Sequence, residues 1–398
     1  MKLGLCCLMI FSLYVCLADD WPQWRGPNRT GRSNERILTN WPTDGPKVLW
    51  RSSVGFGFSS VSIDHGRAFT MGNSGDRETI FCFDALTGKP IWQHAYPSKL
   101  GAVYHEGGPV STPTVEGNRL YSISKWGDVF CLDAVKGTVI WEHDLRGDNV
   151  ISNRWGFSGA PLLWRDLVIL NAGGSGSALD RNTGRRVWLN GTQPTGYASP
   201  VLYRSGLKDS VLIFAAKHLV AVEPRTGQEL WRFPWETGWD TNNPDPLVYR
   251  DQIFISSFSR GCALLSISNG QSQVIYDKKI LNMHLSSGII LGEYLYAFHG
   301  EAKQQTDLRC IDLQRGEVTW TTKDPAFGSL LCVSDKLLIL SEKGELLLGS
   351  PSPSQFQIQS RAQVLGGLCW TPPALANGLL YLRNSRGDLI CLDVRPKA

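Results

Sequence analysis

An acidic residue, a glycine four positions later and a tryptophan four positions after that recur along the chain with constant internal spacing. The copies are DALTGKPIW (Asp84, Gly88, Trp92), DAVKGTVIW (Asp133, Gly137, Trp141), DRNTGRRVW (Asp180, Gly184, Trp188), EPRTGQELW (Glu223, Gly227, Trp231) and DLQRGEVTW (Asp312, Gly316, Trp320). Successive tryptophans stand 49, 47, 43 and then 89 residues apart, so one unit before the last has lost the motif. SISNGQSQVIY, with Tyr276 in the tryptophan's place, fills that gap. A period of about 45 residues belongs to repeat architectures, in which each unit buries its apolar face on its neighbours.

The chemistry of the motif is that of a β-hairpin corner. The acid accepts hydrogen bonds from turn amides, the glycine supplies a positive φ, and β-branched or aromatic residues resume on the outgoing strand. Upstream of the motifs lie further pairs of short apolar runs split by a turn, as in STPTVEGNRLYSIS and GAPLLWRDLVILNA. Four strands per repeat specify a propeller blade. The five motifs, the Tyr276 unit and a weaker hairpin in SPSPSQFQIQ (350–359) make seven blades. Near the end, Asp393 has no tryptophan after it, and near the start KVLW carries Trp50 with no acidic turn before it. The two halves complete one more blade if the N-terminal strand joins the C-terminal strands, a closure that removes exposed edges. The reading is an all-β, eight-bladed propeller over 47–398. Seven blades is the alternative if the hairpin near Phe356 is not a blade.

Lys2, an apolar run over 3–17 and Ala18 before Asp19 and Asp20 predict a secretory signal peptide over 1–18, cleaved near Ala18. The expected location is therefore periplasmic or secreted, and residues 19–46 form an N-terminal extension. No later segment offers the run of about 18 apolar residues that a spanning helix needs. With 42% hydrophobic and 19% charged residues the chain is globular. Its net charge of +4 contains no Lys/Arg run of the kind that lines up on phosphates, which argues against a nucleic-acid partner. Seven of the ten cysteines lie beyond the signal. Cys82, Cys131, Cys310 and Cys391 each stand two residues before an aspartate in successive repeats, too far apart for disulfides, and read as small buried hydrophobes.

On these motifs the chain resembles the PQQ-like repeat propellers, a family that includes quinoprotein alcohol dehydrogenases and the outer-membrane assembly factor BamB. The resemblance spans 47–394. The opening DWPQWRGPNRTGRS is similar to the start of a planctomycete subfamily of exported PQQ-like proteins. The resemblance implies that Trp50, Trp92, Trp141, Trp188, Trp231 and Trp320 each dock on the neighbouring blade's turn. It also implies where pyrroloquinoline quinone (PQQ) would sit: between a tryptophan and a vicinal disulfide, beside a calcium held by Glu, Asn and Asp side chains.

Functional residues are expected at one mouth of the ring, in the segments that precede the innermost strands. These segments carry Phe58, Trp155, Phe157, Tyr197, Trp239, Trp370 and His284 among small hydroxyl residues. Trp155, Tyr197, His284 and Trp370 are the candidates for holding a planar cofactor or a sugar ring. Glu106, Asn153, Asp240 and Asn242 are the candidate oxygen ligands for a cation. The competing structural reading is that small residues pack at the crowded axis and aromatics cap the hole. HEGGP at His105 lacks the second histidine of a zincin, and the glycine-rich NAGGSGS precedes no helix that would make it a phosphate loop. No adjacent cysteine pair follows the signal, so PQQ with calcium is possible in fold but not favoured by the residues. The expectation is a monomeric, non-catalytic scaffold for an envelope protein or glycan, with a PQQ-dependent alcohol dehydrogenase, intact or degenerate, as the alternative.

Overall fold

The computed structural model describes residues 20–206 and 208–396, so the proposed signal peptide lies outside the described residues. Eight blades of four antiparallel strands follow one another around a ring, and one of them carries a fifth, parallel strand. Blade 1 is built, from the axis outward, from Ser62–Asp64, Arg67–Ser74, Arg77–Asp84 and Pro90–Pro97. Blade 2 runs from Thr114–Glu116 to Val139–Asp144. Blades 3 to 7 begin with Leu162–Trp164, Val201–Ser205, Leu247–Tyr249, Ile289–Leu291 and Gly328–Val333. The hairpin near Phe356 is a blade: Glu345–Pro351 pairs with Phe356–Gln363 as the outer half of blade 7. Blade 8 takes three strands from the C-terminal end, Ala374–Ala376, Leu379–Arg383 and Asp388–Asp393, and its outermost strand, Lys47–Ser53, from the N-terminal end. Trp50 pairs with Cys391 in that closing ladder. The ring has eight blades, and the seven-bladed alternative falls. No described helix is long and apolar enough to cross a membrane.

Position within a blade sets the hydrophobic pattern. The third strand of blade 2, Asp128–Asp133, is buried at every residue but its last, because sheets pack on both of its faces. The outer strand Val139–Asp144 buries Trp141 and leaves the residues before and after it exposed. The seven described cysteines are free and buried. Burial pushes the thiols of Cys82 and Cys391 up to about 12, as expected of side chains used as packing.

The repeat motif joins blade to blade. The indole Nε1 of Trp50 donates to Ala85 O at 3.0 Å, Trp92 to Ala134 O at 3.1 Å, Trp141 to Arg181 O at 3.0 Å, and Trp188 to Pro224 O at 2.9 Å. Tyr276 does the same with its hydroxyl, donating to Leu313 O at 3.0 Å, and Trp320 donates to Ser352 O at 2.8 Å. In blade 7 Ser360 holds the equivalent register position and cannot reach so far. The N-terminal segment covers that seam: Ser360 Oγ donates to Thr39 O at 2.7 Å, and Trp41 packs on the shared core of blades 7, 8 and 1. Arg383, fully buried and facing no carboxylate among its hydrogen-bond partners, clamps the closing seam. Its guanidinium donates to Ser59 O, Met71 O and Gly55 O at 3.1, 2.6 and 3.1 Å.

The segment from Trp21 to Glu35 touches every blade. Trp21 exchanges backbone hydrogen bonds with Ile63 of blade 1, and Pro22 O accepts from Val115 N of blade 2. Arg29 donates to Pro161 O and Pro200 O at the starts of blades 3 and 4. Trp24 Nε1 donates to Asp245 of blade 5 at 2.6 Å, and Arg25 to Gly288 O of blade 6 at 2.8 Å. Arg32–Ser33 adds a parallel strand to blade 7, and the Glu35 carboxylate accepts from Asn377 N and Gly378 N in blade 8. This segment closes one end of the central channel.

Candidate functional site

Next to this segment, where each inner strand begins, the small hydroxyl residues bind neighbouring blades rather than the channel, and Asp245 serves both, accepting from Trp24 and from Ser199 N. Thr371 Oγ1 of blade 8 donates to Phe58 O of blade 1 at 3.0 Å, and Thr112 Oγ1 of blade 2 accepts from Ser60 N at 3.0 Å. Ser111 Oγ reaches Gly159 O of blade 3 at 3.2 Å, and Ser199 Oγ of blade 4 accepts from Ala160 N at 3.0 Å. Asp245 and Ser287 continue the belt through blades 5 and 6, and Ser329 Oγ closes blade 7 on Trp370 O at 2.8 Å. Inner strands converge so closely that each blade's first peptide groups leave polar atoms between sheets, and short hydroxyl side chains satisfy them.

Above this belt lies a cap. The connection from blade 1 to blade 2, residues 98–113, crosses the mouth. Trp155 Nε1, entering blade 3, donates to Val103 O at 3.1 Å. Lys303 Nζ, from blade 6 on the far side of the ring, donates to Tyr104 O at 3.3 Å and sits 5.0 Å from the Trp370 ring centroid. The Arg154 guanidinium lies 5.1, 5.5 and 5.4 Å from the centroids of Tyr104, Trp155 and Trp239. Tyr104, Asp240 and Lys303 all take positive φ, at 63°, 55° and 66°, a conformation uncommon for tyrosine and lysine.

Of the sequence-predicted residues, Trp155 and Tyr197 meet edge to face at 5.8 Å. Trp370 stacks on Phe58 at 5.4 Å, with His105 edge-on to Phe58 at 5.2 Å. His284 packs against Phe258 at 5.0 Å and accepts from Ala302 N, so it sits beneath Lys303 in the blade 6 loop rather than beside Trp155. Burial holds both histidines neutral, pushing His105 and His284 down to about 4, with the Lys125 charge adding to the effect at His105. Asn242 is a packing residue: its amide donates to Ala215 O and Ala216 O, and its oxygen accepts from Ser257. Asn153 donates to Thr195 O. Burial raises the Tyr197 phenol, and contacts with Trp155 and Asn153 oppose that rise. Tyr104, Arg154 and Lys303 were not singled out by the sequence, because no local motif marks residues that meet across a ring.

Beneath the cap sits a buried ionisable group that sequence reasoning also missed. Glu78 is fully buried. It accepts from Tyr96 OH and Ser98 Oγ at 2.9 Å each, and burial raises its carboxyl to about 7. Lys125, also fully buried, is lowered to about 8 by the same desolvation and donates to Gly108 O at 3.5 Å.

These residues do not fit PQQ and calcium. The seven described thiols are packed inside blades, and no two are adjacent. The indoles suited to stacking a planar group are engaged, Trp370 by Phe58 and Lys303, Trp155 by Arg154 and Tyr197. Glu106 Oε2 and Asn153 Oδ1 are buried without hydrogen-bond partners, which would suit a hard cation. Yet Lys125 and Lys303, whose charges bear on His105 next to Glu106, oppose a second cation there. Among the described residues one group of three His, Cys, Asp or Glu side chains is close enough to share a metal. It is Asp20, Asp64 and His65, at the other end of the channel.

Residues 76–322 match a family profile described as outer membrane protein assembly factor BamB. No curated protein sequence matches the chain. Among solved structures, BamB from Moraxella catarrhalis superposes with a TM-score of 0.66 at 16% identity, covering 88% of this chain and 98% of that one. The quinohemoprotein alcohol dehydrogenase from Comamonas testosteroni gives 0.70 at 14% identity, covering 95% and 81%. A europium-containing methanol dehydrogenase gives 0.67 at 12% identity, covering 94% and 89%. At these identities the likeness is one of fold, and the fold is common to an assembly factor and to dehydrogenases.

Proposed function

Because the chain belongs to the PQQ-like repeat β-propellers, in the family described as outer membrane protein assembly factor BamB, we propose that it is a non-catalytic binding scaffold of the cell envelope that holds a protein or glycan on the rim of its mouth. The observation that carries this reading is that segments of the chain bridge the ring at both ends. Residues 21–35 span one end with contacts to all eight blades, and the connection bearing Val103 and Tyr104 crosses the other. Turnover of a small molecule needs a concave chamber with free polar groups. Here the hydroxyls at the axis are bound to neighbouring blades, and the exposed chemistry is on the rim. The envelope location rests on the predicted signal and on the family.

The alternative is a divergent quinoprotein dehydrogenase, which the two unpartnered oxygens at Glu106 and Asn153 favour and the remaining residues oppose. Alcohol oxidation with an artificial electron acceptor, after reconstitution with PQQ and Ca²⁺, separates the two. The scaffold reading expects background turnover, together with capture of a specific protein or glycan that weakens on substituting Trp155 or Tyr197. PQQ-dependent turnover abolished by Glu106→Gln or Asp240→Asn would overturn it.

A further inference from the structure

Resting on the reading of the mouth as a binding rim, we propose that its ligand is an acidic glycan, a polysaccharide carrying carboxylate or sulfate groups, held by the cap of Tyr104, Arg154 and Trp239. Of the large apolar side chains exposed among the described residues, the two most exposed, Tyr104 at 76% and Trp239 at 67%, meet here on the same guanidinium. Both are flat aromatic rings. Between those rings lies a guanidinium whose one protein hydrogen bond is to the Tyr104 hydroxyl, at 3.4 Å, and which pairs with no carboxylate. Lys303 brings a second cation to the same tyrosine; its ammonium is in no ion pair, while its backbone N–H donates to the Glu342 carboxylate at 3.1 Å. Elsewhere on the surface arginines are commonly neutralised: Arg181, Arg186, Arg232, Arg260, Arg361 and Arg395 all hold acids. Four of the five donors of a planar fork, left open beside exposed rings, match a planar carboxylate or a sulfate group, while the rings receive the C–H face of a pyranose.

The shape of the mouth favours a sugar over an acidic peptide. Peptides are held by side-chain pockets or by pairing with a free strand edge. Two concavities on the ring lie elsewhere, one of about 700 Å³ between Arg51, Gln363 and Asp388, another of about 430 Å³ among Glu116, Arg165 and Arg181 on the opposite face. The free edges of the inner strands face the channel axis rather than the rim, and the N-terminal segment already pairs with those of blades 1 and 7.

The test titrates the mature protein at physiological salt with polygalacturonate, dextran sulfate, neutral dextran and poly-L-glutamate, read by calorimetry. At least one acidic glycan should bind about tenfold or more tightly than dextran and poly-L-glutamate, the discrimination of one charge-assisted hydrogen bond. Which of the two binds tells carboxylate from sulfate. Arg154→Gln and Trp239→Ala should each weaken that binding about tenfold with the melting temperature unchanged, since both side chains are exposed. Arg225→Gln, on the opposite face, should leave it intact. Failure of both acidic glycans to bind, equal binding of dextran or poly-L-glutamate, or retained affinity in Arg154→Gln would overturn the inference. Any of these with a protein partner still captured at the mouth leaves the scaffold reading standing, whereas PQQ-dependent turnover sinks both.

Discussion

Gly137 lies flat against the indole of Trp92, so close that a Cβ built on the glycine would stand 2.5 Å from Trp92 Cδ2. The motif glycine is therefore required twice, once for its φ of 73° and once for the ring that the preceding blade lays on it. The same contact recurs at Gly88 with Trp50, Gly184 with Trp141 and Gly227 with Trp188. Gly137→Ala should destabilise the protein by about 2–4 kcal/mol, combining left-handed strain with overpacking. Gly117 has a similar φ of 60° but open space around it, and Gly117→Ala should cost only about 1 kcal/mol. Equal losses in equilibrium unfolding would mean that backbone conformation alone selects the motif glycine.

Trp141 separates packing from hydrogen bonding. Trp141→Ala should cost about 3–5 kcal/mol, because the side chain fills the seam between blades 2 and 3. Trp141→Phe keeps most of the ring and loses the bond to Arg181 O, so a smaller loss of about 1–2 kcal/mol is expected. A Phe variant as unstable as the Ala variant would shift the weight to the hydrogen bond.

Glu78 makes stability depend on pH in a direction opposite to that of ordinary carboxylates. Its folded value, about 7, lies above its unfolded value near 4.5, so the folded state holds the extra proton. Stability is therefore highest below about 4.5 as far as this group is concerned, and it falls as pH rises toward 7, by on the order of 3 kcal/mol at most. His105 and His284 act oppositely: their lowered folded values make stability fall as pH drops from 6.5 toward 4. Both histidines remain in Glu78→Gln, so the difference between wild type and variant isolates the carboxyl. That difference should grow in favour of Gln between pH 5 and 7, and a constant difference would show that Glu78 titrates normally.

Removing residues 385–398 takes away the strand that Lys47–Ser53 pairs with, Asp388–Asp393. The truncated protein should elute as oligomers or aggregate, since an unpaired edge strand templates pairing with other chains. A soluble monomer of unchanged melting temperature would show that ring closure contributes little.

The architecture was legible because the motif encodes a contact between consecutive repeats, and fixed spacing survives in sequence. Blades 5 and 7 were faint for a physical reason. Tyr276 performs the docking with a hydroxyl in place of an indole, and the position of Ser360 is covered by Trp41 from the far end of the chain. The site was less legible. In the segments before the inner strands, Trp155 and Tyr197 meet edge to face. The hydroxyl residues of those segments hold blades together, however, and the Asn242 side chain packs rather than faces a ligand. Arg154, Lys303 and Tyr104 come from blades on different sides of the ring, and their meeting is written in closure geometry rather than in any neighbouring residues.

The closing ladder also sets a clock. Ser53 pairs with Asp388, its partner 335 positions later, so the strand is made long before the one it must join. At roughly 5–20 residues per second, synthesis alone keeps it waiting for tens of seconds. Joining ends so distant costs on the order of 5 kcal/mol in chain entropy before any pairing is formed. During that interval the strand is a bare template, and a neighbouring nascent chain is as good a partner as its own tail. Lys47 and Arg51, exposed on the strand either side of buried Trp50, put charge on the waiting edge and make strangers repel. The residues that look least important in the finished ring are thus the ones that guard it while it is unfinished.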